Sequence, residues 1–198
     1  MEALVIAGHF GFAAAVKSRE REAPLWGLML ACVWLDIVFV PLLAAHVETM
    51  VQVPGTKEGA YGGAVIYADY THSLVGAIAL SLVLGLAFGL AYRRRIGIAI
   101  GLVAFSHWVL DLPLHRADMP LLPGNAGDHA RLGFGLWRWP AVSMALEAAL
   151  VLLGAWLYGR AALQVAGTDA ASQKRARLCA VGIAVSGAIV LGLNAAGM

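Results

Sequence analysis

Six apolar runs, separated by short polar or basic stretches, dominate the chain: roughly residues 2–16, 25–47, 72–92, 96–112, 139–159 and 178–197. A helix needs about 20 residues to cross the hydrocarbon core of a bilayer. The third, fifth and sixth runs fit that length and the second has residues to spare. The fourth is short. The first is shorter still, either a tilted span or a re-entrant piece. Its positive charges (Lys17, Arg19, Arg21) follow the apolar stretch, the reverse of a secretory signal. Pro24 and Pro140 stand where the first turn of a helix tolerates proline, and Arg93, Arg94 and Arg95 close the third run. The pattern predicts an all-α, polytopic membrane helical bundle of about six transmembrane helices, with residues 1–198 as a single integral membrane domain.

Composition agrees with a lipid solvent. Of 198 residues, 61% are hydrophobic and 13% charged, and the mean hydropathy is +0.78. Soluble domains carry about a quarter charged residues, so a solvating surface is missing here. The net charge of +2 is too slight to point to nucleic acid. If all six runs cross, ten Lys and Arg lie on one side (residues 17–24, 93–95 and 160–177), against Lys57, Arg116, Arg131 and Arg138 on the other. The positive-inside bias makes the first side cytoplasmic, and puts 48–71, 113–138 and both termini outward. A bacterial-type inner (plasma) membrane is the expected location.

Small residues recur where helices would pack. Ala180, Ala184, Ala188 and Gly192 follow one another at four-residue spacing, and Gly85 with Gly89 makes a GxxxG. Packing within the bundle explains them more simply than a dimer interface. Cys32 and Cys179 lie inside apolar runs and carry no disulfide message.

The chemistry lies in ionisable residues that apolar helices should not contain: His9, Asp36, His72, His107, Asp111 and Glu147. Each is expensive in lipid and is expected to face the bundle interior and find a partner. His107 and Asp111 stand four residues apart, on one helix face, in chelating geometry for an imidazole and a carboxylate. Pro113 is expected to end that helix. His72 opens the third run, where Asp69 or Thr71 could cap the helix. Asp36 is apolar-flanked, and Pro41 is expected to kink the helix one turn beyond it. His9 could reach the same cavity, and Glu147 reads as structural or as support for the site.

This set resembles a known family, the predicted membrane-bound metal-dependent hydrolases that include the LexA-regulated inner-membrane hydrolase. The resemblance rests on His9 followed by Gly11, on the intramembrane Asp36, on Thr71-His72-Ser73, and on His107-x-x-x-Asp111. It covers roughly residues 5–140. It implies a divalent metal site made by His9, Asp36, His72, His107 and Asp111, with Asp36 and Asp111 also in catalytic roles. Mixed nitrogen and oxygen donors suit zinc or manganese better than calcium.

The expected function is therefore hydrolysis of an ester or phosphoester, on a lipid or amphiphilic substrate, in a polar cavity opening outward. The long loop 112–138 could be its lid or binding loop. Within it Arg116, Arg131 and Arg138 could hold a phosphate or simply be solvated, and His115 and His129 could extend the metal site. Trp137 and Trp139 read as an interfacial aromatic belt. Two other classes compete: a haem-binding membrane subunit, and a non-catalytic accessory subunit whose partners are other subunits of a membrane complex.

Overall fold

A computed structural model of the chain describes residues 6–56 and 62–196. Residues 2–5 of the first predicted run, both chain termini, Lys57 and residue 197 lie outside the described residues. The described helices are α1 (Ala7–Lys17), α2 (Leu25–Ala31), α3 (Trp34–Ala44), α4 (Leu74–Ala91), α5 (Arg94–Leu114), α6 (Pro140–Ala166) and α7 (Ala170–Ala196). Between α3 and α4 the chain forms a hairpin of β1 (Thr49–Gln52) and β2 (Ala64–Tyr67), antiparallel with Thr49 opposite Tyr67. The sequence reading had no strand there.

Among the described residues, four helices, α4 to α7, are long and apolar enough to cross a membrane. The pair α2 and α3 meets the same standard as one span bent by 48°. Leu86, Leu90, Leu102 and Leu152 stand exposed on these helices, a surface suited to lipid tails and not to water. This is the build of a multi-pass, all-α membrane protein. The expected count of six is not reached by the described helices, because α1 has 11 residues, about 17 Å of rise.

Several boundaries move for local reasons. The break in the second run falls at Cys32 and Val33, before Asp36, and Pro41 sits inside a continuing α3. The fourth run is longer than expected, because Arg94 and Arg95 already form its first turn and Pro113 is tolerated in its last. Ser73 caps α4 by accepting from the Gly76 amide, so neither Asp69 nor Thr71 does so. The basic segment 160–177 is mostly helix: α6 runs on to Ala166, Gly167 turns the chain at a φ of 56°, and Asp169 accepts from the Ser172 amide as α7 starts.

Glycines set the helix crossings. A Cβ on Gly154 of α6 would overlap the Gly11 carbonyl of α1, and one on Gly97 of α5 would overlap the Gly85 carbonyl of α4. The GxxxG of α4 is thus consumed inside the bundle. On α7, Ala180 approaches Gly159, and Gly187 packs on Val151, but Ala188 and Gly192 face outward. A four-residue repeat drifts by about 40° per step around a helix of 3.6 residues per turn, so the stripe leaves the packed face.

The molecule has two chemically distinct ends. At one, Arg95 and Arg93 pair with Glu20 and Glu22, joining residues 17–24 to 93–95, and Arg21 reaches Gln164. At the other, the hairpin and the 115–139 segment are tied together. Arg131 pairs with Asp69, the Asp118 carboxylate accepts from the Ile66 amide, and the Leu74 and Val75 amides donate to Pro120 and Leu121 carbonyls. The long loop is therefore a fastened cap. Its arginines are taken: besides Arg131, Arg116 donates to the Gly62 carbonyl and Arg138 to that of Gly135.

Candidate metal centre

Under this cap the five residues singled out from the sequence meet. His9 comes from α1, Asp36 from α3, His72 from the turn before α4, and His107 and Asp111 from successive turns of α5. All are buried, Asp36 being the most exposed at 9%. The arrangement is a buried cluster of side chains. Ligand atoms of His9, His107 and Asp111 lie within 4.8 Å of one another, as do those of Asp36, His72 and His107.

Within each trio the spacing is that of donors around a small cation. Asp111 Oδ2 lies 3.1 Å from His107 Nε2 and 3.7 Å from His72 Nε2. Asp36 Oδ1 lies 3.5 Å from each of the same nitrogens, which are themselves 3.3 Å apart. Donors held about 2.0–2.2 Å from a tetrahedral zinc ion stand about 3.3–3.6 Å from one another. These buried His and Asp groups could hold a metal ion.

Outer hydrogen bonds decide which ring nitrogens face inward. His107 Nδ1 lies 2.7 Å from the Cys32 carbonyl, which can only accept, so Nδ1 carries a proton, and Nε2 is the nitrogen that could give a metal ion its lone pair. That carbonyl is exposed for the purpose by the break between α2 and α3. His72 Nδ1 lies 2.9 Å from Thr71 Oγ1, whose own hydrogen goes to the Glu48 carboxylate 3.0 Å away. Glu48 also accepts from the Tyr70 and Thr71 amides at 2.8 Å, and the Trp108 indole fixes the His72 carbonyl at 2.9 Å. Two imidazole nitrogens and two carboxylate oxygens thus stand together, an assembly that protons on the rings or a metal ion would neutralise.

His9 is oriented the other way. Its Nε2 faces two acceptors, Asp111 Oδ1 at 3.3 Å and the His107 carbonyl at 3.4 Å, and a proton on this nitrogen would be donated to them. Its Nδ1 has no hydrogen-bond partner among the described residues. Glu147, which the sequence marked as support, accepts from the Gly8 amide at 3.2 Å and so holds α1 beside the site.

Four residues that the sequence left unmarked or undecided belong here. Glu48, Thr71, His115 and Asp118 are all buried. His115 caps α5, with Nε2 3.7 Å from Asp111 Oδ2 and Nδ1 3.0 Å from Asp118 Oδ1. Burial disfavours charge on His115, but the Asp118 hydrogen bond and the Asp111 carboxylate outweigh it and raise its pKa. The position attracts positive charge. Trp137 is not part of a membrane belt; it is buried against the His115 ring at 4.1 Å between centroids, while Trp139 is exposed. His129 is exposed in the cap and takes no part.

Comparison with protein-family models, with characterised proteins and with solved structures finds no match to this chain. What the centre does has to be argued from its own geometry.

Proposed function

We propose that this protein is a membrane-embedded, metal-dependent hydrolase of an ester or phosphoester, as its resemblance to the membrane-bound metal-dependent hydrolases implies. The observation that carries the reading is the convergence of His72 Nε2, His107 Nε2, Asp36 Oδ1 and Asp111 Oδ2 at donor spacing, with the outer ring nitrogens already bound. These four residues would hold the ion, with zinc or manganese best suited to two nitrogens and two oxygens. A bound ion of this kind lowers the pKa of a coordinated water and polarises the scissile bond. His9 donates to Asp111 Oδ1 and keeps Asp111 Oδ2 turned to the histidines. Asp36, the most exposed of the set, would be the carboxylate that accepts the proton.

A lipid-like substrate is favoured by an apolar crevice of about 310 Å³ between α1, α5 and α6. Leu110, Pro113, Leu146 and Leu150 line it, and His9 is part of its wall, so a hydrocarbon chain lying there would touch a residue that borders the centre. Haem is disfavoured, because imidazole nitrogens 3.3 Å apart leave no space for a porphyrin between them. In this reading α1 and the α2–α3 pair are both spans, giving six. The arginine-rich end is cytoplasmic and the cap faces outward across a bacterial-type plasma membrane.

Elemental analysis of detergent-purified protein tests the reading. Wild type should carry zinc or manganese near one ion per chain, and Asp111→Ala should lose it. Wild type should also release nitrophenol from a long-chain nitrophenyl ester or phosphodiester, with the activity abolished by chelator and by Asp111→Ala. Metal-free wild type from metal-replete medium would overturn the proposal, and leave the cluster as helix-pairing contacts of an accessory subunit.

A further inference from the structure

His115 was not needed for the four-donor set above, yet it is built in the same way as the histidines that are. Three features bear on it. First, its outer nitrogen is committed. Asp118 is 2% exposed and its two oxygens are divided, Oδ1 to His115 Nδ1 at 3.0 Å and Oδ2 to the Ile66 amide at 3.1 Å. A carboxylate between two donors accepts from both, so His115 Nδ1 carries a hydrogen, and it is the neutral ring that offers an Nε2 lone pair to a metal ion in place of a second proton.

Second, that lone pair faces Asp111 Oδ2 at 3.7 Å, the oxygen that also faces His107 and His72. An imidazole lone pair opposite a carboxylate oxygen is repulsive, and a cation shared by both removes the repulsion. Third, the ring cannot turn away. It stacks on the His72 ring at 6.1 Å between centroids, with 26° between planes, and packs on Trp137. Carboxylate–histidine pairs of this kind orient metal ligands and raise their basicity. The outer partners of His107 (the Cys32 carbonyl) and His72 (Thr71, backed by Glu48) follow the same logic.

Resting on the metal-centre reading, we infer that His115, held by Asp118, is a further ligand of the same ion. The donor set becomes three imidazole nitrogens and two carboxylate oxygens, and Asp118 becomes a positioning residue. Two consequences separate this from a structural role. The ion should be five-coordinate through side chains, and its affinity should depend on a carboxylate that never touches it.

Cobalt(II) alone is the probe, added to chelator-stripped, full-length protein in detergent. Its visible absorption grows more intense as the coordination number falls. With a water in the remaining position, wild type should bind with a very weak, six-coordinate spectrum. His115→Gln, which keeps packing against Trp137, should bind more weakly and shift to a more intense, five-coordinate spectrum. Asp118→Ala should weaken binding by about 10–100-fold, the usual loss on removing an outer carboxylate. Cooperative thermal unfolding of the stripped proteins, well above the temperature of the titration, establishes that both variants fold. Wild-type affinity and spectrum in His115→Gln, or unchanged affinity in Asp118→Ala, would overturn the inference while leaving the four-residue centre standing. If wild type binds no cobalt, the metal-centre reading fails and this one with it.

Discussion

Glu48 shows how much of the site depends on a residue that touches no candidate ligand atom. It is 1% exposed and accepts from two backbone amides and the Thr71 hydroxyl, and that hydroxyl in turn receives His72 Nδ1. Glu48→Ala should leave buried donors unpaired and lower stability by about 1–3 kcal/mol, read as thermal unfolding in detergent. It should also weaken metal uptake, since His72 would lose its fixed tautomer. Glu48→Gln keeps an acceptor and should fall between; an alanine variant indistinguishable from wild type would remove Glu48 from this role. Residues such as His9, Asp36, His72, His107 and Asp111 were legible in the sequence because ionisable groups in apolar helices demand a partner. Glu48 and Asp118 were not, and His115 was marked only as a possible extension of the site, because an ionisable residue in a polar segment needs no special explanation. Only the hairpin and the cap turn their side chains inward.

At the scale of elements, helices were easy to find and their ends were not. Apolar length located α4 to α7, but helix-forming residues such as Ala161, Ala162, Gln173 and Lys174 carry α6 and α7 past the apolar core. The expected kink at Pro41 and the observed break at Cys32 differ because a helix can continue through one proline in lipid when its neighbours adapt. The α1–α6 crossing depends on backbone contact at Gly11 and Gly154. Gly154→Val should push α1 away from α6 and destabilise by about 1–3 kcal/mol, the usual range for overpacking. Because His9 rides on α1, the same variant should loosen Asp111 and reduce metal affinity. Gly192→Val on α7, where nothing lies within 4 Å, is the matched control and should do neither.

For the whole molecule, the sequence divided polar segments between two sides, and the ion pairs place those segments at two ends as expected. Sidedness follows from the charge bias and can be read by labelling intact cells with an impermeant maleimide. In a Cys179→Ser background, His129→Cys in the cap should react, whereas Arg94→Cys and Lys174→Cys should react only after permeabilisation. The opposite pattern would invert the topology and turn the centre toward the cytoplasm. The break between α2 and α3 also bears on biogenesis. It leaves the Cys32 carbonyl, near the middle of the bent pair, dependent on His107 from a helix made some 60 residues later. A freed carbonyl in hydrocarbon costs several kcal/mol. If the pair crosses the membrane as one span, its backbone is completed only once α5 supplies that donor, and assembly of the bundle would be coupled to assembly of the centre.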